Sequence, residues 1–372
     1  MPKTVIISVI NELVSDQRVN RSCLTLQKAG YEVKLIGRLY KNSPKLLPRP
    51  YSCKRMHLFF KRGPFFYAEY NLRLFFLLLF SKADVLFSND LDTLLPNYLV
   101  SRIKRKKLIY DSHELFTELP ELIGRPMIKW VWTSLEHFLF PKLQNIITVN
   151  KSIADIYKEK YKKKIQVIRN IPLPIKLDTK VTKEDLGFQK DDFLIILQGA
   201  GINMHRGAEE ALEAMKYVFG AKLLIIGGGD VFEDLKRKRV ELHLEDKVQI
   251  IDKLPYQELM QYTFIADLGL SLDKDTNLNY RYSLPNKVFD YIHSNTPILV
   301  SRLPELLNII ETYKIGGSVR NIRPQCIADK INAVIKNPAF IVEWKENLIK
   351  AQKELNWNLE EEKYLRFLSQ IK

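Results

Sequence analysis

The sequence predicts an α/β protein made of two doubly wound, parallel-sheet domains. Three observations carry this expectation. The chain has 372 residues, enough for about two domains with a core each. Strand-length apolar runs alternate with amphipathic stretches of helical period. After Ile171-Pro-Leu-Pro174 the alternation pauses over a stretch rich in Lys, Asp and Thr, then restarts. Apolar runs separated by helical crossovers call for strands buried on both faces, which is the chemistry of a parallel sheet covered by helices.

In the first half, the runs 5–10, 33–36, 56–60, 85–87, 107–110 and 146–149 read as strands. Helices are expected between them, for example over 18–29, stopped by Gly30, and over 93–103. The pause near 174 reads as a linker. Strands follow at 193–197, 223–226, 248–251, 268–272 and 298–300, each separated by a helical stretch. A last helix over 359–371 presents Tyr364, Leu365, Phe367, Leu368 and Ile371. The expected division is a domain over 1–172, a second over 173–355, and a terminal helix over 356–372.

Charge is uneven. Residues 1–170 hold 30 Lys and Arg against 14 Asp and Glu, whereas residues 171–372 hold 28 against 29. The basic half is expected to face something anionic, with a membrane surface preferred. The segment 64–80 carries Phe65, Phe66, Tyr67, Tyr70, Leu72, Leu74 and Phe75 to Phe80, with Lys61, Arg62 and Arg73 beside it. It is too short and too interrupted to span a bilayer. Two readings stay open: a helix lying at an interface, or a core helix of the first domain. The basic runs are scattered and lack a reader motif, so no nucleic acid is expected as partner.

The three cysteines, Cys23, Cys53 and Cys326, are far apart and without metal spacing, which suits a reducing compartment. The apolar run near the N-terminus is too short for a signal peptide and reads as a first strand. A cytoplasmic protein is expected.

The richest segment is Arg281-Tyr-Ser-Leu-Pro-Asn-Lys-Val-Phe-Asp-Tyr-Ile-His293 followed by the apolar run 298–300. Pro285 fits a helix start, so the amides from Asn286 onward face forward, and Lys287 adds a positive charge in the first turn. That is a phosphate site. Asp290, one turn on, can accept hydroxyl protons of a ribose, or it simply stands favourably in a first turn. Gly199-Ala-Gly201, after a strand and before the helix near Arg206-Gly207, is a second place for bare amides to meet phosphate; an ordinary strand-to-helix turn is the alternative. His113 follows a first-domain strand, at the edge where α/β sheets bind ligands, or is structural. Asp90-Leu-Asp92 mimics a metal-binding pair, but precedes a helix with Asp92 at an N-cap position, so no metal is expected.

These segments resemble, in order and spacing over almost the whole chain, the retaining family-four glycosyltransferases of GT-B fold. The matching motifs are Ser15-Asp-Gln-Arg-Val19, Gly30-Tyr-Glu-Val33, Tyr110-Asp-Ser-His-Glu114, Arg206-Gly207, Ile225-Ile-Gly-Gly-Gly229 and the Pro285 helix with its following strand. The resemblance implies two Rossmann-like domains facing across a cleft, with the last helix crossing back to the first domain. It implies sugar transfer from a nucleotide-diphosphate sugar to a glycan or lipid-linked hydroxyl acceptor, with retention and without a metal or other cofactor. Synthesis of bacterial surface polysaccharide or glycolipid at the inner face of the plasma membrane would fit.

Residue by residue, the resemblance gives Arg206 and Gly207 to the diphosphate, with Lys287. Where similar enzymes carry an Arg five residues before that basic position, this chain has Gly201, so Lys287 or His205 would have to supply the missing charge. A glutamate pair of the family falls on Tyr282 and Asp290; the tyrosine loses a carboxylate otherwise used for the donor sugar. Base contacts fall on Lys253 and Leu254 of Asp252-Lys-Leu-Pro-Tyr256 and on the Gly228 turn. His113 would orient the sugar. Asp16 and Arg18 would lie on the acceptor side, unless Asp16 only caps a helix. The alternatives are a nucleotide-sugar epimerase of similar fold and an inactive partner subunit of another transferase.

Overall fold

A computed structural model describes residues 2–14, 16–173 and 181–371. Ser15 and most of the expected linker, 174–180, lie outside the described residues. The chain divides into two units, one reaching Asn170 and taken up again from Asn358, the other Ile171–Trp357.

The first unit holds a parallel seven-stranded sheet. Its strands are β1 (Thr4–Ser8), β2 (Glu32–Leu39), β3 (Ser52–His57), β4 (Val85–Asn89), β5 (Lys107–Ser112), β6 (Asn145–Thr148) and β7 (Gln166–Val167), in the order β3-β2-β1-β4-β5-β6-β7. The order reverses at β1, with crossover helices on both sides, as in a doubly wound sheet. Register aligns Val5 with Val33 and Val85, and Ile7 with Leu35 and Phe87, so apolar side chains stack across the centre.

The expected strand at 56–60 sits earlier, at β3. An edge strand needs pairing more than apolar content, and the polar run Ser52–His57 pairs with β2 from Lys34 to Leu39. Phe59 and Phe60 fall beyond it, where both backbone N–H groups donate to the Glu69 carboxylate. The two-residue edge strand β7 had no apolar run to announce it.

The segment 64–80 is the helix Gly63–Leu79, with Pro64 in its first turn. The core reading holds for one of its faces. Phe66, Tyr70, Leu74 and Leu78, spaced four apart, are buried, the last three among Ile6, Ile36 and Leu86. Tyr70 also donates its hydroxyl to Val9 O at 2.8 Å. Phe65, Leu72 and Phe76 are exposed. The terminal helix Trp357–Ser369 packs within this unit: Tyr364 is buried, Glu360 accepts from Arg169 N at 2.9 Å, and Glu361 accepts from Thr25 Oγ1 at 3.0 Å.

The second unit holds a parallel six-stranded sheet: β8 (Phe193–Gly199), β9 (Ala221–Gly227), β10 (Val248–Asp252), β11 (Leu268–Ser271), β12 (Ile298–Val300) and β13 (Gly316–Ser318), ordered β10-β9-β8-β11-β12-β13. β8 to β12 stand where the sequence placed them; the short edge strand β13, Gly-Gly-Ser, gave no signal. One face buries Ile195, Leu197, Leu223, Ile225 and Leu270; the other buries Leu194, Ile196, Leu224 and Ile226. This two-sided burial explains why these strands read as unbroken apolar runs.

Leu74→Ala should lower the unfolding free energy by about 2–5 kcal/mol, through lost transfer energy and a residual cavity, whereas Leu72→Ala on the exposed face should change it by about 0.5 kcal/mol or less. Urea unfolding of both variants checks this; equal losses would mean the helix is not seated as described.

Candidate active site

In the second unit, the carboxyl ends of β8, β9 and β11 come together through glycines. Gly227 has φ 155°, and a Cβ there would lie 1.9 Å from Gly199 O. The two turns are stitched by Gly228 N donating to Gly199 O at 3.4 Å and Ile202 N donating to Gly228 O at 2.6 Å. Gly207 has φ 76°, and a Cβ would meet Leu272 O at 2.2 Å. Lys274 N donates to His205 O at 2.9 Å, so the 205–207 turn is fixed against the exit of β11.

That turn delivers Arg206. Its Nη1 lies 2.9 Å from Oδ1 of Asp273, a fully buried carboxylate just past β11, and its guanidinium sits 4.2 Å over the Tyr280 ring. Asp273 Oδ2 is buried without a hydrogen-bond partner.

The third component is the helix Asn286–His293, entered through Pro285 with no side chain capping its first amides. It is anchored by Tyr291, whose hydroxyl shares its one proton between Ile196 O and Leu270 O and accepts from Gln198 N, all at 3.2–3.3 Å. Lys287, half-buried in the first turn, has its pKa lowered by burial, with Asp273 pulling it up and Arg206 pushing it down. Two cations and one buried anion thus share the strand edge beside a helix N-terminus, which suits an anion of higher charge than one carboxylate.

Asp290 is buried, and both its oxygens are engaged. Tyr256 donates its hydroxyl to Oδ1 at 2.7 Å and Gln198 Nε2 donates to Oδ2 at 3.1 Å; Thr263 in turn donates to Gln198 Oε1 at 2.6 Å. Tyr282 is half-buried after the short helix Leu278–Arg281, Asn286 and Lys253 are exposed, and Leu254 packs against the core. Gly201 is exposed, and a Cβ would meet the Asn203 amide at 3.6 Å, an ordinary contact. Packing therefore does not require glycine there.

In the first unit the edge beyond β4 and β5 holds a closed charge cluster. Arg18 lies within the helix Gln17–Lys28, so its guanidinium reaches Asp111 on β5 through Nε at 2.9 Å and Nη2 at 2.7 Å, and Ile168 O through Nη1 at 2.8 Å. Only 3% of Arg18 is exposed, and all three of its guanidinium nitrogens are engaged within this unit. Asp16 caps the same helix, accepting from Val19 N at 3.0 Å, and also accepts from Asn11 Nδ2 at 2.7 Å.

His113 lies just past β5 with both ring nitrogens beside carboxylates, Nδ1 at 3.3 Å from Asp90 Oδ2 and Nε2 at 3.2 Å from Asp111 Oδ2. Its backbone N–H also donates to Asp90 Oδ1 at 2.8 Å. Asp90 takes φ 56°, a strained conformation that this contact and Asp90 N donating to Asp111 O help to hold. Burial lowers the His113 pKa, but Asp90 and Asp111 outweigh it and raise it to about 9. Asp111 is pushed up by burial and pulled down harder by Arg18 and His113, to about 2. Both ring nitrogens of His113 are thus engaged by carboxylates of the same unit.

The N-cap reading of Asp92 is corrected. It lies inside the turn Leu91–Thr93, Thr93 holds the cap position of the helix Leu94–Ile103, and no side chain caps it. Asp92 is buried, and burial holds its carboxyl well above the usual range. Among the described residues, no group of three or more His, Cys, Asp or Glu is placed to hold a metal ion.

Asp273, Tyr280 and Gln198 had no part in the sequence reading of the site, and Tyr256 entered it only as the end of the segment assigned to the base. Asp273 carried a usable signal, an acidic residue immediately after an apolar strand run. Tyr280 meets Arg206, and Gln198 and Tyr256 meet Asp290, only through folding.

Two doubly wound parallel sheets, one ending in a cationic, glycine-lined edge, define the class: paired Rossmann-like domains of GT-B type. The profile of Glycosyltransferase Family 4 matches residues 18–171, and that of Glycosyl transferases group 1 matches residues 178–355. The chain belongs to these GT-B glycosyltransferases. No curated protein sequence matches it. Among solved structures it is similar to sucrose-phosphate synthase from Thermosynechococcus elongatus (16% identity, TM-score 0.77, 99% of this chain and 98% of that one). It is similar also to HepE of Anabaena in complex with UDP-glucose (12% identity, TM-score 0.75, 99% of each chain). A third is WaaG, a glycosyltransferase involved in lipopolysaccharide biosynthesis (13% identity, TM-score 0.68, 97% of this chain and 98% of that one).

The charge cluster predicts a pH signature. His113 is raised from 6.5 to about 9, so its stabilising contribution is complete below pH 6.5 and is lost as pH rises through 9. Asp111 is lowered from 3.8 to about 2, so its contribution holds above 3.8 and is lost as pH falls through 2. Thermal unfolding at pH 6, 7.5 and 9 should show a wild-type decline on the order of 3 kcal/mol that is absent in His113→Gln. A flat wild-type profile would contradict the carboxylate sandwich.

Proposed function

We propose that this glycosyltransferase takes a sugar from a nucleotide-diphosphate sugar and passes it to a hydroxyl acceptor with retention of anomeric configuration. The observation that carries the donor class is the pairing of Arg206 and Lys287 at the N-terminus of the helix Asn286–His293. In this reading the diphosphate lies on those two cations and the first helix amides, with Gly199, Gly201 and Gly207 letting backbone come close. Asp290 takes the ribose, and the base rests on Lys253, Leu254 and the Gly228 turn.

As the bond from the anomeric carbon to the diphosphate oxygen breaks, negative charge grows on the leaving group, and Arg206 and Lys287 already stand where it grows. The acceptor oxygen forms its bond on the same face, and its proton passes to a diphosphate oxygen. No metal is assigned a step, since side-chain cations carry the leaving-group charge. His113 serves as a positioning residue for Asp90 on the acceptor side.

Lys287→Ala should reduce donor affinity or turnover at least tenfold, about 1.4 kcal/mol per tenfold. A panel of nucleotide sugars including UDP-glucose, screened first by thermal shift and then by turnover on a crude lipid acceptor, provides the measurement. Unchanged binding in the variant would remove the phosphate role. Sugar isomerisation without acceptor would favour an epimerase, and binding without turnover an inactive partner subunit. The anomeric configuration of the product, read by NMR, tests retention.

The acceptor is assigned to a membrane glycolipid or surface glycan, on the strength of one layer of the first unit. The helices Gly63–Leu79 and Pro126–Leu139 touch through Tyr67 and Trp132, ring centroids 5.0 Å apart. Each carries exposed apolar residues, Phe65, Leu72 and Phe76 on one and Met127, Trp130, Val131 and Phe138 on the other. Lys61, Arg62 and Arg125 stand exposed at the same N-terminal ends. Among the described residues no helix is long and apolar enough to cross a membrane. Aromatic side chains beside cations suit an anionic bilayer surface. Phe65→Ala with Trp130→Ala should weaken co-sedimentation with phosphatidylglycerol vesicles about tenfold while leaving the thermal midpoint unchanged; undiminished vesicle binding would reject this face.

A further inference from the structure

We propose that the Tyr256 hydroxyl positions the Asp290 carboxylate for the donor's ribose, so that Tyr256 sets the preference for a ribonucleotide. This rests on the reading that Lys287 and its helix hold the diphosphate.

Three observations support it. Tyr256 opens the helix Tyr256–Ile265 directly after the short 253–255 connection from β10, and Pro255 fixes the backbone at that entry. Its hydroxyl donates to Asp290 at 2.7 Å, a charge-assisted bond of the strong kind. From the other side Gln198, buried and itself held by Thr263, donates to the second oxygen at 3.1 Å.

The terminal torsion of an aspartate is broad, so one donor alone leaves the carboxylate plane free to turn. Two donors from different elements, the end of β8 and the start of a helix, fix it. A carboxylate offers about four acceptor sites over its two oxygens, so a fixed plane also fixes where a ribose hydroxyl must come to donate. Leu254, two residues before Tyr256, packs against the core that includes Val288 and Phe289 of the Asp290 helix, so the segment assigned to the base and the carboxylate assigned to the ribose are seated on the same core.

Tyr256→Phe removes only the hydroxyl. Isothermal titration with UDP, GDP and ADP, each beside its 2′-deoxy and 3′-deoxy forms, provides the test. The wild type should bind the ribonucleotide of its preferred base about tenfold tighter than at least one deoxy form, the size expected for one hydrogen bond to a charged group. In Tyr256→Phe that ratio should fall to near one, through weaker ribonucleotide binding with the deoxy form unaffected. Asp290→Asn should collapse the ratio in the same way, which covers the case of a poorly folding Tyr256→Phe. Equal weakening of ribo and deoxy forms, or a wild type without ribose preference, would overturn the proposal. If no diphosphate binds the wild type, the diphosphate reading itself fails and takes this one with it.

Discussion

A buried carboxylate at the carboxyl end of a parallel strand, answered by an arginine from a neighbouring helix or turn, organises both halves of this chain. Parallel strands covered on both faces can place polar chemistry only at their ends, and a charge left there without a partner costs several kcal/mol. Asp111 on β5 is answered by Arg18, and Asp273 beyond β11 by Arg206. The two pairs differ in enclosure. Arg18 is 3% exposed and bonded through all three guanidinium nitrogens, so it ties its helix to the first sheet. Arg206 is 27% exposed and lies over Tyr280, and its carboxylate partner also acts electrostatically on Lys287, so this pair is more open than the first.

The second constraint is close backbone approach. The turn after β9 presses on the turn after β8, and the 205–207 turn presses on the exit of β11. Gly227 and Gly207 make those approaches possible, and Gly269 leaves room for the Tyr291 ring that pins the Asn286–His293 helix to the sheet. Lys287 and Asp290 are therefore placed by core packing on the far side of their own helix, through Val288, Phe289 and Ile292. Gly201 is different: nothing in its surroundings demands a glycine, and the absence of a side-chain cation there leaves Arg206 and Lys287 as the cationic pair at this edge.

The helix Gly63–Leu79 shows how one sequence pattern can serve two environments. Its apolar residues exceed what one buried face needs, so a stripe four apart fills the core and the remainder faces outward. A uniformly apolar helix has a weak directional signal, which is why the sequence left both readings of it open.

By itself the sequence determined what local chemistry controls: two sheets of apolar strands, the helix start at Pro285, Lys287 in its first turn and the family to which the chain belongs. Strand runs buried on both faces cannot be mistaken for solvent-facing segments, and a proline at a helix entry needs no distant partner to act. Tertiary structure alone decided the edge strands β3, β7 and β13, which persist by backbone pairing and carry no apolar run. It alone placed Asp273 on Arg206, Asp90 and Asp111 on His113, and Tyr256 and Gln198 on Asp290. The partners in those contacts lie from two to more than ninety positions apart, and burial at a strand end, unmarked in the local sequence, is what turns each of them into a necessary pair.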